Sequence, residues 1–99
     1  MNGKVTYTFT AKMWQHNPPL GWYFVSLPKN ISSEIRNLFK NQEEGWGRMK
    51  VSAIINDLKW DTAIWFDSKK GIYILPIKAA IRKKTNLKIK IDTEISILL

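Results

Sequence analysis

From residue 4 to residue 13 apolar and polar side chains alternate without a break. Val5, Tyr7, Phe9, Ala11 and Met13 fall on one face, and Lys4, Thr6, Thr8, Thr10 and Lys12 on the other. A period of two marks a strand with one buried side. The rhythm returns at 22–27 and at 48–56, where Met49, Val51, Ala53 and Ile55 share a face. It returns again at 59–66 (Trp60, Thr62, Ile64, Phe66), at 72–75, and in a long last run at 89–99, where Ile89, Ile91, Thr93, Ile95, Ile97 and Leu99 alternate with Lys90, Asp92, Glu94, Ser96 and Leu98.

Two segments break this rhythm. Ile31, Ile35, Leu38 and Phe39 recur at helical spacing, with Asn30 or Ser32 as the expected cap and Glu34 in the first turn. Pro76 is expected as the first residue of a second helix, where a missing N–H costs nothing. Ile77, Ala80 and Ile81 would form its inner stripe, and Asn86 its C-terminal cap. Loops are expected at 14–21, where Pro18-Pro19 excludes ladder donors, at 41–47, at Asn56-Asp57 and at 67–71. The count is about six strands and two short helices.

The chain also echoes itself. Tyr23-Phe24-Val25-Ser26-Leu27-Pro28, followed by Lys29 and then Ile35-Arg36, is matched by Tyr73-Ile74-Leu75-Pro76, followed by Lys78 and then Ile81-Arg82. Each unit is a short strand ending in Leu-Pro and leading to a helix that carries Ile-Arg. The echo predicts one mainly-β domain over residues 1–99, a small barrel of two strand–helix halves with internal pseudo-twofold symmetry.

Residues 22–28, Glu34-Ile35-Arg36, Gly45-Trp46-Gly47, Trp60 with Thr62, and residues 73–78 with Ile81-Arg82-Lys83 together resemble the domain-of-unknown-function 1905 family over roughly residues 5–97. The resemblance implies a double-split β-barrel, the architecture of AbrB-type and MazE-type transcription factors, which assemble it from two short chains. Leu75-Pro76, Arg82, Leu87 and Asp92 follow the AbrB pattern in order. The sequence departs from the family at Ile91, where Gly is usual before the late Asp, at Ala63 and at Phe66. The family has no established activity, so no catalytic residue is carried over. In some members the domain is joined to another that resembles bacteriocin-protection proteins, which implies a role through a partner.

Composition adds a core and a charge. At 44% hydrophobic residues with five Trp, the chain has the apolar content that disordered chains lack. There is no cysteine, consistent with a reducing cytosol. Residues 1–4 carry no apolar run, so no signal peptide is expected, and no stretch approaches the roughly 20 apolar residues of a membrane helix. A cytoplasmic protein without a membrane partner is the expectation. Sixteen cations against eight acids give a net charge of +8, which suits an anionic partner such as nucleic acid and also fits a lysine-rich solvated surface.

The basic stretch at 68–91 contains no acid and holds Lys69, Lys70, Lys78, Arg82, Lys83, Lys84, Lys88 and Lys90. The first seven of these are the candidate nucleic-acid contacts. Lys78 and Arg82, four apart, are expected on one helix face. Arginine reads guanine in a bidentate way, and only Arg36, Arg48 and Arg82 are present. Lysines act as point charges on the backbone, so weak, salt-sensitive and poorly selective binding is expected. The bland alternative is a solvated helix beside lysine-rich turns.

Most of the tryptophans are expected in the core or at its rim. Trp65 is out of phase with the inner face and, with Trp14 and the Pro18-Pro19-Leu20 loop, is the candidate contact for a ligand or protein partner. His16 is a lone loop histidine without metal-ligand neighbours. Asp57, Asp61 and Asp67 flank one hairpin as turn and surface residues. No nucleophile constellation, phosphate loop or dinucleotide fingerprint is present. The sequence therefore predicts a binding module and not an enzyme, with no cofactor or metal. Its partner would be nucleic acid or, alternatively, a ligand or protein. A monomer or weak homodimer is expected, the last strand being an edge that a second copy could pair with only if nothing else covers it.

Overall fold

The computed structural model describes residues 5–99; the signal-peptide expectation, which rests on residues 1–4, lies outside them. In chain order the elements are β1 (Thr6–Gln15), β2 (Tyr23–Ser26), α1 (Lys29–Phe39), two short 3-10 turns (Lys40–Gln42 and Gly45–Gly47), β3 (Arg48–Ile55), β4 (Leu58–Asp67), β5 (Ile72–Pro76), α2 (Ala79–Thr85) and β6 (Asp92–Leu98). The strands close into a barrel in the order β1-β2-β5-β4-β3-β6, with every pairing antiparallel. This is the mainly-β barrel with two helices that the alternation and the echo predict.

Exchanging β1 with β4, β2 with β5 and β3 with β6 returns the same ring. Each half is two strands, a helix and a third strand, and the two echoed strands pair with each other at the centre: Val25 opposite Leu75, Ser26 opposite Ile74. The inner phase of each strand fills the barrel. Phe9, Met13, Val25, Met49, Val51, Ala53, Ile55, Ile64, Tyr73, Leu75, Ile95 and Ile97 are all buried in one cluster. Small barrels exclude water by filling the interior with side chains in this way.

The helices leave opposite ends of the β2–β5 pair. α1 buries Ile35 and Ser32, with Ile31 and Phe39 packed alongside. Ser32 is no cap. Its hydroxyl lies 3.5 Å from the Leu27 carbonyl and accepts from the Tyr73 N–H at 3.0 Å, so it ties helix to strand. Tyr7 donates to Glu34 at 2.7 Å, and Tyr73 donates to Glu43, whose carboxylate also meets Arg36 at 3.1 Å.

Several local expectations are corrected. Pro76 ends β5 and does not begin α2. The Ile77 N–H bonds the Tyr23 carbonyl at 2.9 Å and the Leu27 N–H bonds that of Tyr73 at 2.9 Å. Pro76, opposite Phe24, is thereby left at a position where the ladder needs no donor. The helix starts two residues later than its echo in α1, so Ile77 is buried from the strand–helix junction and Ala80 is exposed. Lys78 is the residue before the helix; its carbonyl accepts the Arg82 N–H at 3.0 Å, and both residues line one hollow, as their spacing predicts. Leu38 is 62% exposed, because Ile31, Ser32, Ile35 and Phe39 are the inward set. Trp14 belongs to β1, not to a loop. The last strand begins at Asp92, since Lys90 takes a positive φ of 70° and the preceding segment turns Ile89 and Ile91 outward. β6 is paired on both edges, with β1 and with β3, so the condition for edge pairing with a second copy is not met.

Candidate nucleic-acid interface

The outer phase of β1, β2, β5 and β4 carries Trp14, Phe24, Ile74 and Trp65. Trp14 is opposite Phe24, Phe24 opposite Pro76, and Ile74 lies between Ser26 and Trp65. Trp14 and Phe24 have ring centroids 5.2 Å apart, and Trp22, just before β2, lies 6.4 Å from Phe24 with its ring nearly parallel. The Trp14 indole N–H donates to Ser26 Oγ at 2.9 Å, which anchors the ring to β2. Trp65, expected to be exposed, is half-buried, and the Arg48 guanidinium lies 5.9 Å from its ring.

Cations border this aromatic row. The Lys70 ammonium stands 5.5 Å from the Trp14 ring. Trp22, Pro76 and Lys78 form the rim shared by two hollows. One, of about 720 Å³, runs over β3 and β4 past Trp65, Arg48 and Lys50. The other, of about 530 Å³, runs toward Tyr23, Ile77 and Arg82. Trp22 is 69% exposed and Leu20 93% exposed, so the loop between β1 and β2 stands clear of the barrel. The loop is closed by His16 N–H to the Trp22 carbonyl and Gly21 N–H to the Asn17 carbonyl. A Cβ at Gly21 would lie 1.3 Å from the His16 carbonyl oxygen, so only glycine fits there.

The two flanks of the barrel differ in charge. On the β3–β4 side Arg48 is opposite Trp65, Lys50 opposite Ala63 and Ser52 opposite Asp61; on the β6–β1 side Asp92 is opposite Lys12, Glu94 opposite Thr10 and Ser96 opposite Thr8. A serine makes a cross-strand bond on each, Ser52 to Asp61 at 2.9 Å and Ser96 with Thr8 at 2.8 Å. One face offers two cations and an indole, whereas the other offers two acids, with Lys12 held by Asp92 at 2.6 Å.

The basic stretch does not form one patch. Lys69 and Lys70 lie in the turn before β5, and Lys78, Arg82, Lys83 and Lys84 at its far end, roughly 15 Å away for a strand of this length. Lys70 and Lys78 flank the aromatic row at these two ends. Lys83 and Lys84 are exposed in the last turn of α2. Lys88 lines a third hollow with Asp92 and Glu94, poor surroundings for an anion. All three arginines are already engaged. Arg36 sits 3.7 Å over the Phe66 ring and pairs with Glu43. Arg48 pairs with Glu44 at 2.6 Å. Arg82 donates to the Ile77 carbonyl at 2.8 Å and lies 3.9 Å over Tyr23.

A family model described as a domain of unknown function (DUF1905) matches residues 9–97. The chain belongs to this family. No curated protein matches the DUF1905 chain. Trp22, Phe24, Ile74, Arg48 and Lys50 are the members of the candidate surface that sequence reasoning did not select. The usable signal was phase: Arg48 and Lys50 fall on the outer face of a strand whose inner face was already assigned. In this DUF1905 domain His16 is exposed in the loop. Among the described residues no three His, Cys, Asp or Glu side chains gather as metal ligands, and no helix is long and apolar enough to cross a membrane.

Proposed function

We propose that this DUF1905 domain is a non-catalytic nucleic-acid-binding module whose contact surface is the outer face of β1, β2, β5 and β4. The observation that carries this reading is the aromatic row Trp14–Phe24–Trp22 with Lys70 beyond one end and Lys78 beyond the other, on a chain of net charge +8. Neither lysine is in an ion pair among the described residues, so each remains open to phosphate and its counterions can be released. Arg48 and Lys50 extend the positive potential over β3, partly offset by Glu44, which both approach. A cytosolic location and a monomeric or weakly dimeric state belong to the same reading.

The test is fluorescence anisotropy with labelled oligonucleotides at low and moderate salt. Binding should weaken steeply with salt, and Lys70→Glu with Lys78→Glu should reduce both the affinity and the slope of its logarithm against that of salt. Absence of binding at low salt rejects the reading. A second reading, a protein-binding module, is favoured by one observation: Leu20 and Trp22 project beside the smaller hollow.

A further inference from the structure

A duplex and a single strand ask different things of a protein. A duplex keeps its base faces stacked inside and offers groove edges and phosphates. Reading those edges takes a protruding helix or ribbon with free side chains, most often arginine. This barrel has neither. α2 is a helix of seven residues, and the guanidinium groups of Arg36, Arg48 and Arg82 are all held within the protein by carboxylates, a carbonyl or aromatic rings. The sheet instead presents aromatic side chains, Trp22 the most exposed of them. Trp14, Phe24 and Trp22 form a continuous row on two adjacent strands and the residue before them, and Trp65 lies beyond Ile74 two strands away.

We infer that the occupant of this face is an unpaired stretch of nucleic acid, whose bases stack on the Trp22–Phe24–Trp14 row while Lys70 and Lys78 hold the phosphates at its two ends. This rests on the reading of the face as a nucleic-acid interface. Every base has a π-face, so stacking of this kind tolerates sequence, and three engaged arginines agree with that tolerance. Trp22 is the most exposed ring of the row and carries the largest share of the contact.

The experiment titrates the full chain with labelled oligothymidylate and with a duplex of equal length at low salt. It uses the unmodified protein, Trp22→Ala, Trp22→Phe and Trp46→Ala. Trp46 is 91% exposed and lines neither hollow, so it reports on tryptophan loss away from the face. The single strand should bind more tightly than the duplex and quench tryptophan fluorescence. Trp22→Ala should weaken single-strand binding by about 5- to 150-fold, the range of one lost base–aromatic stack. Trp22→Phe should retain most of the affinity, and Trp46→Ala all of it. A duplex bound as tightly as the single strand, or Trp22→Ala binding like the unmodified protein, overturns the single-strand inference and leaves the nucleic-acid reading standing. No binding of either oligonucleotide overturns both.

Discussion

Two tyrosines tie α1 and the segment after it to the barrel, and both do so as hydrogen-bond donors to carboxylates. Burial, then the bond to Glu34, pushes the Tyr7 hydroxyl from its ordinary 10.0 up to about 12. Burial and then Glu43 push Tyr73 upward too, partly offset by Arg36. A folded pKa above the unfolded one means that the folded state holds its proton longer. The stabilisation is therefore complete below pH 10 and is lost as pH rises from 10 through the raised value. We expect stability against denaturant to fall above pH 10, and to fall less steeply in Tyr7→Phe and Tyr73→Phe; equal slopes would contradict this. These bonds were not legible in the chain. Glu34 reads there as a first-turn acid and Glu43 as one of a loop pair, because what they meet is 27 and 30 residues away. Ser32 shows the same blindness. By residue type it reads, like Asn30, as a cap, yet it lies three residues before Ile35 on the inward face, where its hydroxyl is the partner of a buried strand N–H.

At the level of elements, periodicity transferred well and punctuation did not. The inner faces of β1, β3 and β4 follow from alternation alone, because a one-residue slip would turn every apolar side chain outward. The Leu-Pro ends were harder. A proline after a strand serves equally as its last residue or as the first of a helix, and only the partner strand decides. The β3–β4 turn was legible because its chemistry is local. Ile55 pairs with Leu58, and Asn56 and Asp57 both take positive φ, 49° and 51°, in a two-residue turn. Asn56 also donates to the Thr85 carbonyl at 3.2 Å, bracing the end of α2, so Asp57 is the position free to change. Asp57→Gly removes the steric cost of positive φ and should stabilise the domain by a few tenths to about 1 kcal/mol. Thermal melts should show a small rise in Tm; a fall would mean that the Asp57 side chain has a role the turn geometry does not reveal.

The barrel as a whole is a symmetric frame carrying an asymmetric surface. The echo in the sequence revealed the frame. It could not reveal the candidate site, because the aromatic row draws on β1 and β2 while its neighbours Trp65, Arg48 and Lys50 come from β4 and β3, and only ring closure brings them to one side. The asymmetry separates net charge from charge placement. In the variant Arg48→Asp, Lys50→Glu, Asp92→Arg, Glu94→Lys, each loss of positive charge on β3 is matched by a gain on β6, so the chain keeps its net charge of +8. The ion pairs disturbed, with Glu44 and with Lys12, are on the surface and worth about 0–1 kcal/mol each, so the fold should survive, as circular dichroism would show. If binding follows overall charge, affinity will be unchanged. If it depends on cations beside the aromatic face, affinity for oligothymidylate should fall about tenfold, and the salt dependence should become shallower. The transplanted cations sit opposite Lys12 and Thr10, away from Trp65 and the hollow that Arg48 and Lys50 line.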